Sequence, residues 1–204
     1  MLINEWSTGA TDAILATVCL VLAHRIKQRC ITETPAVLNI ARSLALCGVA
    51  AFIGGVRHGF APQLSEIAYA CAWYSSYLFI MMSGTLMLWS ILCGLVGNPR
   101  YHRMLGAFCL FKLAMCGLWF LKDADAMWVA VSWGLDIVFI GAFSAAKTHH
   151  PACRWLIAGA AGSLVAGLIQ CGWLVGIVGP LNNDLFHLLQ IPAVYAFYAA
   201  ALVL

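Results

Sequence analysis

The fold class this sequence predicts is an all-α membrane protein: seven transmembrane helices in one bundle, N-terminus outside and C-terminus cytoplasmic. Three observations predict it. Hydrophobic residues make up 63% of the 204 positions and charged residues only 9%, whereas a soluble domain carries about 25% charged residues. The apolar residues form seven runs, each near or above the roughly 20 residues that cross a bilayer as a helix. The basic residues between the runs fall mainly in alternate connections. Together these exclude a soluble globule. The formal net charge of +3 reflects loop lysines and arginines rather than a nucleic-acid surface, so no nucleic-acid partner is expected.

The runs cover residues 8–25, 36–58, 66–96, 102–121, 126–146, 152–178 and 183–204. Pro35, Pro62, Pro99, Pro151 and Pro180 stand at the joints, where a missing N–H costs least, and most charges stand there too. The first run ends in HRIKQRC, and the second begins after ITETP. GFAPQ separates the second from the third, which is the longest and is expected to tilt or to bend near Gly84. GNPRYHR, KDAD, KTHHP and GPLNN make the remaining joints. Pro192 lies inside the seventh run and predicts a bend there, because its ring crowds the Leu188 carbonyl and offers it no donor. No internal repeat is evident, and the connections leave no room for a second domain, so residues 1–204 read as one unit. The opening segment has no basic stretch and contains Glu5 and Asp12, so no cleavable signal peptide is expected.

The orientation follows from the charges. With the N-terminus outside, the cytoplasmic connections hold Arg25, Lys27, Arg29, Arg100, Arg103, Lys147 and Arg154, against Arg57 and Lys122 outside. Short loops obey the positive-inside rule best. The expected location is a bacterial inner membrane or its equivalent. Trp6, Trp128, Trp155 and Trp173 fall near segment ends, where indole rings anchor at the interface. The small residues of GGVRHG, GAFSAA and AGAAGS allow helices to approach closely. The nine cysteines include no CxxC pair and lie mostly in apolar runs, so they read as small packing residues.

Polar residues inside such spans carry the functional information. Lys112 and Asp136 lie at similar distances on either side of the KDAD turn, hence at similar depth on adjacent antiparallel helices. An unpaired charge at the bilayer centre costs at least about 2.5 kcal/mol, and pairing is the expected reading: a structural ion pair, with a proton or ion relay as the alternative. A second group gathers at the outer end. Glu5 and Asp12 begin the first helix, Arg57 and His58 end the second, Glu66 opens the third, Gln170 lies late in the sixth, and Asn182, Asn183, Asp184 and His187 open the seventh. Asn183 and His187 are four apart and share a helical face. Two imidazoles with carboxylates are a ligand set suited to zinc, whose bound water becomes a nucleophile.

The GGVRHGF end of the second helix and NDLFHLLQIPAVYAFY of the seventh resemble the alkaline ceramidase and adiponectin-receptor (CREST) superfamily of seven-helix membrane hydrolases. The NEWSTGATD start is similar to the acidic, Trp-containing stretch that binds calcium in ceramidases. The resemblance implies a metal-dependent amide or ester hydrolase acting on membrane lipids near the outer face. His58 matches the helix-two histidine and His187 the second helix-seven histidine, which with Asp12 make the implied zinc ligands. The family serine falls on Gly54 and the first helix-seven histidine on Asn183, and Glu66 is the carboxylate nearest to the helix-three aspartate. In this reading Asp12 and Glu66 complete the metal shell or act as general base, and Asn183 binds substrate or orients water. The alternative is a non-catalytic binding protein or small subunit of a membrane complex with a membrane-protein partner, which the missing serine and histidine favour. A transporter relaying through Lys112 and Asp136 is the third class, and the absence of repeats counts against it. A retinal protein is not expected, because the seventh helix has no lysine for a Schiff base. Haem between His58 and His187 has nothing specific behind it.

Overall fold

The computed structural model describes residues 5–29, 34–96, 98–171 and 180–204. Among them it contains seven α-helices and one short 3-10 turn, and no strand: α1 (Trp6–Arg29), α2 (Pro35–Phe60), the turn Ala61–Gln63, α3 (Glu66–Leu95), α4 (Pro99–Asp123), α5 (Met127–Ala146), α6 (Cys153–Gln170) and α7 (Pro180–Ala201). Trp173, Cys30 and the end of the sixth apolar run lie outside the described residues.

Local chemistry sets the helix starts. The Thr34 hydroxyl accepts the Val37 N–H at 3.3 Å ahead of Pro35. The Ser65 hydroxyl accepts the Ala68 N–H at 3.2 Å, and the Asn98 side chain accepts the Arg100 N–H at 3.0 Å. Each of these caps satisfies one of the N–H groups that a helix start leaves without an intrahelical acceptor. The α4–α5 hairpin turns at Ala124, which closes α4 in the left-handed conformation (φ 51°) with its N–H on the Phe120 carbonyl. At 30 residues, α3 is about 45 Å long and continuous through Gly84. Likewise α7 continues through Pro192.

Among the described residues six helices, α1 to α6, are long and apolar enough to cross a membrane, which is compatible with an integral membrane protein. In α7 the first half carries Asn182, Asn183, Asp184, His187 and Gln190, so its apolar character is concentrated after Pro192.

The helices pack as a closed circuit. α1 lies on α2, α2 on α3, α3 on α5, α5 on α6, α6 on α7, and α7 returns to α1. α4 stands outside this circuit, packed on α3 and α5. Its outer face carries Met104, Leu110, Phe111 and Leu118, each about two-thirds exposed. The main core joins Leu15, Cys19, Leu22 and Ile26 of α1 to Ile40 and Leu44 of α2, Leu88 and Ile91 of α3, Ile140 of α5, Leu156 of α6 and Phe197 of α7. A smaller cluster, Met81, Cys116, Phe120 and Val129, holds α4 to the α3–α5 seam.

Glycine brings α1 and α2 into backbone contact. A Cβ added to Gly9 would stand 3.1 Å from the Gly55 carbonyl oxygen, and one added to Gly55 would stand 3.1 Å from the Gly9 carbonyl oxygen. Close approach of this kind replaces the water-driven term that lipid cannot supply. Between α2 and α3, the Ser43 hydroxyl bonds the Ser83 carbonyl at 2.7 Å and the Ser83 hydroxyl bonds the Ser43 carbonyl at 2.8 Å.

Candidate functional site

The α1–α2 contact fixes the floor of a polar cluster at the end of the bundle where α1, α3 and α7 begin and α2 stops. On α1, Thr8, Thr11 and Asp12 are three and four residues apart and so share a face. Thr8 and Asp12 are buried and Thr11 half-buried. That face meets the first turns of α7. The Thr8 hydroxyl donates to Asp184 Oδ1 at 2.7 Å. Asp12 Oδ1 stands 3.1 Å from His187 Nε2, and both side chains are under one-tenth exposed. On its other side, His187 Nδ1 lies 3.1 Å from the Thr11 hydroxyl, which is also 3.0 Å from the Thr8 carbonyl.

Asp12 reaches this position over a gap in α2. A Cβ on Gly54 would lie 3.3 Å from Asp12 Oδ2, and one on Gly55 would lie 3.1 Å from Asp12 Cβ. The carboxylate therefore occupies the space that a side chain at Gly54 would fill.

The second imidazole is held differently. His58 Nδ1 is 2.7 Å from Glu5 Oε2, while Arg57 Nη2 is 2.6 Å from His58 Nε2. A carboxylate only accepts and a guanidinium only donates. The proton of His58 therefore sits on Nδ1, and the lone pair of Nε2 faces Arg57. The backbone adds a tie, with the Glu5 N–H on the His58 carbonyl at 3.1 Å. Arg57 is itself buried, its guanidinium 4.4 Å above the Trp73 ring and 5.9 Å from both Tyr69 and Tyr77. Asn183 extends this half: its Nδ2 stands 3.5 Å from His58 Nε2, and its Oδ1 accepts from Gln170 at 3.0 Å.

Asp12 with His187, and His58 with Asn183, are thus drawn into polar contacts. Glu66 is not. It sits exposed in the first turn of α3 and makes no hydrogen bond or ion pair among the described residues; its charge there complements the positive end of the helix dipole. Glu5 takes the position beside His58 instead. Thr8 and Thr11 were not among the residues the sequence singled out. Their spacing with Asp12 is the available signal, but helical hydroxyls so often bond their own backbone that it carries little weight alone.

The fit of the cluster to zinc follows from the same geometry. Among the described residues, no three His, Cys, Asp or Glu side chains gather as a metal-ligand set. In addition, a cation at His58 Nε2 would meet the guanidinium of Arg57.

The second charged centre lies inside the bundle. Lys112 Nζ is 2.5 Å from Asp136 Oδ2 and donates to the Ser132 carbonyl at 3.2 Å; both charged side chains are buried. The pair is enclosed by α3, where a Cβ on Gly84 would lie 2.6 Å from Asp136 Oδ2.

No curated protein and no solved structure matches this chain. A protein-family model does, over residues 7–204. That span takes in all seven helices apart from Trp6, and every member of the polar cluster except Glu5. The chain belongs to this family, described as the family of unknown function DUF6962.

Proposed function

We propose that the chain is an integral membrane protein of seven transmembrane helices, N-terminus outside and C-terminus cytoplasmic, in a bacterial inner membrane or its equivalent. In this reading it hydrolyses amide or ester bonds of membrane lipids at the outer end of the bundle. The observation that supports the chemistry is the Asp12–His187 pair, carboxylate against imidazole at 3.1 Å with both groups buried. A carboxylate that orients a histidine and balances its charge is the usual support of a general base. Asn183, one turn from His187 on the same face, is assigned to orienting the polar part of the substrate. Lateral entry from the lipid suits a site at a helix end, since the scissile bond of such a lipid lies at the interface and its chains stay among the tails.

The resemblance would add zinc held by His58, His187 and Asp12, and metal analysis of the purified protein tests that addition. Activity is tested by reconstituting the protein in lipid nanodiscs with a panel of acyl amides and esters. The expected result is release of fatty acid by the unaltered protein and its loss on H187A.

A non-catalytic reading has its own support. Both imidazoles already have partners, His58 between Glu5 and Arg57 and His187 between Asp12 and Thr11. The outer face of α4 would then seat a membrane-protein partner. Retention of a stoichiometric partner through gentle detergent extraction, without lipid turnover, would favour this second reading.

A further inference from the structure

Thr11, Asp12 and His187 form a continuous chain from hydroxyl through imidazole to carboxylate. Thr11 Oγ1 is 3.1 Å from His187 Nδ1, and His187 Nε2 is 3.1 Å from Asp12 Oδ1. A hydroxyl within reach of a base, with the base held by a third group, is the arrangement that activates a covalent nucleophile. The burial pattern gives the chain a direction. Asp12 and His187 are buried, while Thr11 is half-buried on the edge of α1, between buried Thr8 and Leu15 and exposed Ser7, Ala10 and Ile14. The carboxylate end is thus enclosed in the bundle, and the hydroxyl end borders the surface where a lipid would arrive.

We infer that Thr11 is the acyl-accepting nucleophile of this site. The inference rests on the hydrolase reading and deepens it by replacing a bound water with a side chain in the first step. The Thr11 hydroxyl has one proton and two acceptors in reach, the Thr8 carbonyl at 3.0 Å and His187 Nδ1 at 3.1 Å. Rotation about the Cβ–Oγ1 bond turns the proton from the Thr8 carbonyl to His187. The proton passes to Nδ1 as the Oγ1–C bond forms at the substrate carbonyl. Asp12 at Nε2 offsets the positive charge on the ring. The C–N or C–O bond of the substrate then breaks, and His187 returns the proton to the departing amine or alcohol. A water adds to the acyl-threonine ester, giving its proton to His187; fatty acid leaves and Thr11 recovers its proton. One water is consumed per bond cleaved, with no oxidant or reductant.

The test uses the full chain in nanodiscs and an alkyl phosphonate p-nitrophenyl ester, which forms an Oγ1–P bond and expels p-nitrophenolate. The expected result is a single phosphonyl adduct on the Thr11 peptide, retained in T11S, absent in the isosteric T11V, and formed about 100-fold more slowly in H187A. Absence of an adduct at Thr11, or unchanged labelling of T11V, would overturn the inference. A parallel lipid assay separates this inference from the reading beneath it. If T11V hydrolyses lipid at the unaltered rate, Thr11 is not the nucleophile and the hydrolase reading stands. If the Thr11 adduct forms as expected but no lipid is cleaved, the nucleophile stands and the lipid substrate class falls.

Discussion

Asp136 lies so close to Gly84 that no side chain fits between them: a Cβ on residue 84 would stand 2.6 Å from Asp136 Oδ2, the oxygen that pairs with Lys112. The missing side chain on α3 is what admits the carboxylate to the α4–α5 seam. G84A should therefore push Asp136 off Lys112 and lower stability by about 1–3 kcal/mol, the usual range for overpacking, and G84V by more. Thermal unfolding in detergent measures both, and an unchanged midpoint for G84V would contradict the packing.

The ion pair itself predicts a non-additive pattern. Either D136N or K112M alone leaves a buried charge without its partner, which costs about 3–5 kcal/mol. Replacing both with apolar residues of similar volume should restore most of that loss. The exchange K112D with D136K should recover expression that each single exchange loses. A double replacement as unstable as the sum of its parts would show that the pair is not the source of the effect.

At the α1–α2 contact, G55V should separate the two helices, because its neighbours are the Gly9 carbonyl and Asp12 Cβ, both 3.1 Å from the new carbon, and backbone cannot move aside as a flexible side chain does. Asp12 would move with α1. The expected result is loss of site-directed crosslinking between introduced residues 13 and 52, together with loss of lipid turnover. Retained crosslinking would mean the helices tolerate the added bulk.

The orientation predicts that a protease added to intact spheroplasts digests an N-terminal tag and leaves a C-terminal tag protected until the membrane is opened. The reverse pattern would invert the assignment of the polar cluster to the outer side.

Much of this arrangement was legible in the residues. Lys112 and Asp136 lie at similar distances from the KDAD turn, so their common depth could be read directly. His58 and Asp12 fall at ends of helices that meet, and His187 repeats the register of Asn183. Other features carried no usable signal. Glu5 and Glu66 are both acidic and both near the same end, and only the rotation of α3 decides that Glu66 turns outward while Glu5 meets His58. The hydroxyls of Thr8 and Thr11 have the same sequence character as any that bond back to their own helix. Nor does hydropathy distinguish α4 from its neighbours, although it alone packs outside the circuit: every run is apolar, and helix order around a bundle depends on packing rather than on composition.

The central claim is that the Asp12–His187 pair does chemistry on lipid. It is tested most directly by comparing turnover of an accepted acyl amide or ester by the unaltered protein, D12N and H187A, all reconstituted at equal amounts and matched for folding by gel filtration and thermal midpoint. The account predicts that each substitution lowers the rate by about 100-fold or more, the usual contribution of a positioned general base, while both variants remain folded. Folded D12N and H187A proteins that turn over lipid at the unaltered rate would contradict it.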